Sequence, residues 1–408
     1  MEFKALQIVE ETSKNARKLF YAMILGCVYS WLTIATTTDI RLISNSVSSP
    51  LPIISTKIPI GYFYLAAPFA LLCLYLYFHC YLENLWKGLA SLSAIFPDGR
   101  RLEERAYPWI LSNIVCRHFK LLKNRSVLAR MKEWITIFLA WWAVPLTFIG
   151  FWLRYLPRHE WAGTWLHIGI SSGSVALATI FSRICKQILR GKEKNTSLWI
   201  KIWREFYTTL TPIATGLVLF VISYGAINGV MPPSPEAPKA KKEINYFNIT
   251  EAVPWAFQKV GYSPFANFRE KDVSIKPIDY YKIEDDDKRF NSVKSAILKN
   301  KNLTFADMSA AFLVKADLRY ANLQNAYLRF AKLQKAYLGF AKLQKAYLRY
   351  ESLQKADLGG AKLRGAILNL TDLNGCNNLT QKQLDSACGN EKTILPRGLT
   401  IKKCTEKE

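Results

Sequence analysis

The side chains able to carry chemistry are sparse and scattered. The sequence holds no Cys-x-x-Cys, no His-Glu-x-x-His, no phosphate-binding glycine loop and no Gly-x-Ser-x-Gly nucleophile turn. Its four histidines lie too far apart in sequence to suggest a metal site. The acidic run Asp285–Asp287 offers ligands for a cation, yet a short carboxylate run in a polar segment is ordinarily just solvated. Cys27, Cys73, Cys80, Cys116 and Cys185 fall in or beside apolar stretches and read as small packing residues. Cys376, Cys388 and Cys404 lie in a polar tail, where a pair can form a disulfide and leave one thiol over. These residues point away from an enzyme, with no metal and no cofactor.

Another set of residues repeats with strict spacing. From about Ala296 to Gly375 the chain advances in steps of five, centred on Leu298, Leu303, Met308, Leu313 and onward to Leu373. Ala stands two positions earlier in most steps, as at Ala316, Ala321, Ala326, Ala331, Ala336, Ala341 and Ala346. A helix repeats at about 3.6 residues and an exposed strand at about 2, so neither accounts for a period of five. A small residue and a leucine turned inward once per step fit a square coil with one pentapeptide on each side. The pattern Ala-[Asp/Asn]-Leu-x-x resembles the pentapeptide-repeat family. That resemblance implies a right-handed quadrilateral β-helix with about twenty residues per coil. The sixteen steps then make four coils, roughly 19 Å tall at the ~4.8 Å spacing of stacked strands. Each buried leucine contributes on the order of 1.5–3 kcal/mol.

The outward residues carry a second period of ten. Units such as AYLRF and AYLRY alternate with AKLQK and ESLQK. In such a coil Tyr327 and Phe330 lie over Tyr347 and Tyr350, with Arg329 and Arg349 beside them, and the opposite side repeats more weakly through Tyr320, Tyr337 and Phe340. The other two sides carry Lys332, Lys335, Lys342, Lys345, Lys355 and Lys362. Exposed stacked aromatics form a docking surface for a partner, or else they serve only to tie neighbouring coils together. The lysines suit anionic lipid headgroups or an acidic partner, or solubility alone. Some soluble members of the family protect DNA gyrase by resembling DNA in shape and negative charge. The basic outer faces here depart from that property, and no nucleic-acid partner is expected.

The elements that position this repeat are hydrophobic. The net charge of +24 sits largely in short segments between apolar stretches, as in membrane proteins, and not on a soluble basic face. Five stretches are long enough to cross ~30 Å of hydrocarbon: about Leu19–Thr37, Ile60–Leu82, Trp134–Leu153, Trp165–Ile184 and Leu210–Met231. Residues 1–18 read as a short helix leading into the membrane, and the first stretch reads as an anchor, not a cleaved signal. Loops rich in Lys and Arg follow the second and fourth stretches, and poor ones follow the first and third. The N-terminus is therefore expected in the cytoplasm and the repeat outside it, unless Pro212 and its neighbouring glycines keep the fifth stretch from crossing. The spans lack mid-membrane charges, which disfavours a pump. Ser171, Ser172, Ser174 and Thr179 line a passive pore or mark close helix packing. Trp141 and Trp142 beside Pro145 mark a kinked helix facing a pathway or a packed contact.

The expected organisation is a transmembrane helical domain over 1–231, a linker and N-terminal cap over 232–295, the β-solenoid over 296–375, and a C-terminal cap and tail over 376–408. Phrases such as IPIGYFYLAAPFALLCLYLYFHCYL, IFPDGRRLEERAYPWIL, RYLPRHEWAGTWLH and GYSPFANFREKDVS resemble the helical module that precedes pentapeptide repeats in bacterial membrane-anchored proteins of unassigned function. The expectation is a multi-pass protein of the bacterial inner (plasma) membrane. It is read as a scaffold or sensor whose solenoid binds a protein, lipid or envelope component, and a homo-oligomer is compatible with it. The alternative is an oligomeric channel or membrane-acting effector built from the helices.

Overall fold

Long apolar runs close their backbone hydrogen bonds within one segment by becoming helices. The computed structural model describes residues 2–44, 60–92, 131, 134–190, 198–229 and 248–404. Cys116, most of the basic loop from Arg100 to Lys132, the basic residues Lys192 and Lys194, Met231 and the proline-rich segment Pro232–Lys242 lie outside the described residues. The chain divides into two compact units: Met1–Thr36, Phe63–Arg154 and Gly163–Phe220 form the first, and Thr37–Tyr62, Tyr155–Ala162 and Val221–Glu408 the second.

The first unit is helical. Its elements are α1 (Glu2–Thr36), most of a second long helix, Ile60–Ala90, a π-helical turn at Phe138–Trp142 running into Ala143–Tyr155, and the helices Trp161–Arg190 and Leu198–Ile227. Five of these segments are long and apolar enough to cross a membrane: Leu6–Thr36, Ile60–Ala90, Trp134–Arg158, Trp161–Ile188 and Glu205–Ile227. The expected leader and first stretch are one continuous helix. The fifth runs unbroken through Pro212.

Packing in this unit explains several residues. Pro145 has no N–H, so the Trp141 carbonyl four residues earlier loses its helical donor. The Tyr75 hydroxyl supplies the bond instead, at 3.0 Å, and the π turn, closed by Ala143 N–H to the Phe138 carbonyl, accommodates the kink. Trp141 is buried and stacks on Trp86, centroids 5.6 Å apart. His79 is buried and stacks on Phe181 at 4.1 Å. Ser172, Ser174 and Thr179 donate to carbonyls of their own helix, and a methyl on Gly216 would lie 3.5 Å from Ser172 Cβ. Those three hydroxyls are thus satisfied within their own helix.

The second unit contains the coil. Parallel bridges join Ile297 to Asp317, Asp317 to Tyr337, and so on at intervals of twenty residues along all four sides. Each side contributes a single bridge, and among the described residues none extends into a longer strand. Leu298 to Leu373 are almost fully buried, as are the alanines beside them.

Stacking extends beyond the expected bounds at both ends. Asn267 bridges Asp307 and Asp272 bridges Phe312, so Ala266–Glu270 and Lys271–Ile275 form two further sides. An excursion then leaves the coil and returns at Ala296. It carries α2, used here for the short helix Asp286–Ser292, and a small core of Tyr280, Phe290, Val293, Phe312 and Val314. At the other end Asn377, Cys388 and Ile394 continue three of the columns, while a short helix, Gln381–Leu384, replaces the fourth. Its capping box joins Thr380 and Gln383. Cys388 is disulfide-bonded to Cys404, and Cys376 is free.

Candidate functional site

The outer surface follows from where each backbone N–H goes. In the unit Ala316–Tyr320, Leu318 N–H donates to Tyr337 in the next coil at 2.8 Å and Tyr320 N–H to Gly339 at 3.0 Å, while Asp317 N–H reaches back to Ala296. Ala321 N–H closes the turn onto Leu318. The remaining N–H, on Arg319, is taken by the Asp317 side chain at 3.2 Å. Asp or Asn before the central apolar residue makes this same bond at Asn267, Asn302, Asp307, Asn322, Asp357 and Asp372. The fifth residue of each unit sits at positive φ, 59° at Tyr320 and 60° at Phe330, the conformation of the third position of a type II turn. Stacking enforces it on residues as bulky as Phe and Tyr, because their N–H groups are bound by the next coil.

Tyr327, Tyr337, Tyr347, Lys332, Lys342 and Lys362 occupy the Asp/Asn position, and their side chains carry no carbonyl acceptor for that bond. These units give up a turn hydrogen bond in exchange for an outward aromatic ring or cation. Tyr327 lies over Tyr347 with ring centroids 5.0 Å apart and 2° between planes, and Phe330 over Tyr350 at 4.9 Å and 18°. On the opposite side Tyr320 stacks on Phe340 at 5.2 Å, and Arg319 lies over Tyr337. Phe330, Tyr337, Phe340 and Tyr350 are exposed, while Tyr327 and Tyr347 are half-buried. Within each two-ring ladder the inner faces are covered by one another, so the surface presents ring edges together with the outer faces of the stack.

The lysines are less alike than their spacing suggests. Lys315, Lys335 and Lys355 stack in one turn column, and the excursion helix α2 lies along it. Lys315 donates to the Asn291 carbonyl at 2.9 Å, Lys335 pairs with Asp287 at 2.5 Å and Lys355 with the same carboxylate at 2.8 Å. The two ammonium groups hold the Asp287 carboxyl down at about 2. Asp285 caps α2 by accepting from Lys288 N–H, and Asp286 pairs with Arg289. The acidic run therefore has three separate structural duties, and a cleft of about 500 Å³ lies beside Asp287, Lys335, Tyr337 and Lys355. Among the described residues no cluster has metal-ligand geometry. Lys332, Lys342 and Lys345 point into solvent apart from this column.

Two features were not visible in the sequence. The N-terminal edge of the coil has no preceding coil to bond it. There the Asp39 carboxylate accepts from Asn267 N–H at 2.7 Å, the position a carbonyl of an earlier coil would fill. Beside it His159, at φ 50°, is buried against Phe265 and bonds the Pro264 carbonyl at 3.0 Å through Nε2, which must therefore carry the proton. Burial pushes its pKa down to about 4. Arg158 donates to the Leu42 carbonyl and pairs with Glu160. The second feature is Glu351, which stands where the inner column otherwise has Ala311 and Ala331. It is 2% exposed, and neither carboxyl oxygen has a hydrogen-bond partner. Thr371 and Cys376, also in alanine positions, solve this by donating to the carbonyls of Leu348 and Leu353. A carboxylate has no proton to donate, and burial raises the Glu351 pKa well above its usual range.

The family model described as pentapeptide repeats matches residues 321–350 and 341–377, with 8 copies. Among curated proteins none matches the chain. Similar solved structures include a pentapeptide repeat protein from the Arabidopsis thaliana thylakoid lumen, 28% identical over 19% of this chain, with a TM-score of 0.19. This chain spans about half, 55%, of that protein's length. A pentapeptide repeat protein from the cyanobacterium Cyanothece is 27% identical, covering 32% of this chain and 80% of its own, with a TM-score of 0.22. One from Nostoc is 31% identical, covering 26% and 64%, with a TM-score of 0.15. The repeat region, residues 321–377, thus consists of pentapeptide repeats of that family's pattern.

Proposed function

We propose that this protein is a multi-pass scaffold or sensor of a bacterial plasma membrane, without enzymatic activity. Its solenoid stands on the non-cytoplasmic side and binds a protein, lipid or envelope component. The observation that carries the binding role is the pair of aromatic ladders: Tyr327–Tyr347, built at positions where Asp or Asn would have satisfied the turn, and Phe330–Tyr350, built at the positive-φ corners beside them. Five apolar helices support the membrane role. The topology is supported by two further facts. The connections that bond the first edge of the coil, through Asp39 and His159, follow the first and third apolar helices and are the ones poor in Lys and Arg. The Cys388–Cys404 disulfide suits an oxidising compartment.

The topology is tested by fusing alkaline phosphatase or a fluorescent protein to the C-terminus. Phosphatase activity with a dark fluorescent fusion is the expected result, and the reverse pattern overturns the orientation. For binding, Tyr327→Ser, Phe330→Ser, Tyr347→Ser and Tyr350→Ser are combined in the full chain and its cross-linked partners compared with wild type. Loss of partners with an unchanged melting profile is expected, and an unchanged partner set counts against the ladder as a docking surface.

A further inference from the structure

Charge on the solenoid is answered unevenly. On the Tyr337 side Arg319 pairs with Asp317, and at the corner beside it Lys335 and Lys355 share Asp287, while Lys332 stands exposed on the Ser352 side. The side carrying Lys342 and Lys362 and the side carrying Tyr327 and Tyr347 meet at the Lys345 corner. There Lys342, Lys345, Lys362, Arg364, Arg329 and Arg349 have no acidic partner among the described residues, and no Asp or Glu stands between Asp317 and Glu351. All of these except Arg349 are exposed. The Tyr327–Tyr347 ladder runs down the middle of this same face, and Phe330–Tyr350 runs along its far corner.

We propose that this two-sided face docks on an anionic phospholipid headgroup surface. The inference rests on the reading of the solenoid as a membrane-tethered binding module and names the chemistry of its partner. Uncompensated cations at this density call for a polyanion. A glycan partner would stack on open ring faces, and in each ladder the facing side of both rings is closed against its neighbour. Ring edges among cations on flexible stems are instead what the headgroup zone accepts, with tyrosine at the polar boundary and Lys and Arg reaching phosphate. A lipid surface is also continuous, so it asks for no single pocket, and these sides are regular planes of repeated units.

The test uses the full chain in nanodiscs of phosphatidylcholine, mixed with vesicles of phosphatidylcholine alone or with phosphatidylglycerol. Co-flotation with the mixed vesicles only, weakened by added salt, is the expected result. Lys342→Gln, Lys345→Gln and Lys362→Gln together reduce capture on the order of a hundredfold, at roughly fivefold per cation. Lys315→Gln, Lys335→Gln and Lys355→Gln, in the column occupied by the excursion, leave it within about twofold, and melting profiles report folding of both variants. Equal capture by both vesicle types, equal loss in both variants, or retention on immobilised polyglutamate without retention on vesicles overturns the proposal. If vesicles fail while the serine variant of the ladders still loses its partners, the lipid assignment falls and the scaffold reading stands.

Discussion

The two halves of this chain solve one problem in opposite ways. In the helical half each segment satisfies its own backbone, so side chains are free to vary. Ile213 and Leu217 stand outward while Phe148 and Phe151 are buried, with no fixed spacing required between helices. In the solenoid most backbone bonds go to the coil above or below, so no unit is complete without its neighbours. A change at one solenoid position is therefore felt through a column, whereas a change on an outward helix face is local.

The largest expected effect sharpens that contrast. Leu338→Ala removes a fully buried side chain from the middle of a column, and costs about 2–5 kcal/mol. Ile213→Ala, on an apolar helix position that is 65% exposed, leaves the melting temperature of the detergent-solubilised protein unchanged. Comparable losses from the two substitutions would break the distinction. Next is the terminal disulfide. Cys388→Ser opens a link closing 16 residues of sequence separation and costs about 3 kcal/mol, confined to the final partial coil. Accelerated proteolysis after Gly375, with the earlier coils still protected, is the readout.

Glu351 comes third, and its effect has the opposite sign. Glu351→Ala restores the residue type of its own column and stabilises the solenoid by about 1–3 kcal/mol at neutral pH. Because the folded pKa is raised above the usual 4.5, the wild-type contribution is full below that pH. It is lost as pH rises through the folded value. Urea unfolding across that range should slope downward for wild type relative to the variant, and parallel curves would mean that the carboxyl finds a partner.

How much of this was readable depends on whether a residue answers to its own column or to something distant. The inward Leu and Ala and the stacked Tyr327, Phe330, Tyr347 and Tyr350 are dictated by the repeat, and their geometry was legible. Ala266–Ile275 also carries the pattern, as Ala-Asn-Phe-x-x and Lys-Asp-Val-x-x. It was hidden because the excursion separates it from the main run and because Phe and Val stand where leucine is expected. Disulfide pairing, the Asp39 cap and the bond from Tyr75 to Trp141 join residues far apart in sequence, and no local period encodes them. The acidic run looked idle because its partners, Lys335 and Lys355, follow only after the chain has completed further coils.

That run gives the smallest effect and the finest test of column against neighbourhood. Asp287 is exposed, so its pairing with Lys335 and Lys355 contributes little at ordinary salt. Its carboxyl is held at about 2, below the usual 3.8. The contribution is thus complete above 3.8 and disappears as pH falls through about 2. Asp287→Asn should leave the melting temperature nearly unchanged at neutral pH and abolish the residual salt sensitivity of excursion docking. Hydrogen exchange of α2 reports that docking directly. Faster exchange in α2 alone, with Leu333 and Leu353 still protected, means that the excursion rides on a coil complete without it. Faster exchange along the whole lysine column would instead make the excursion a structural side of the solenoid.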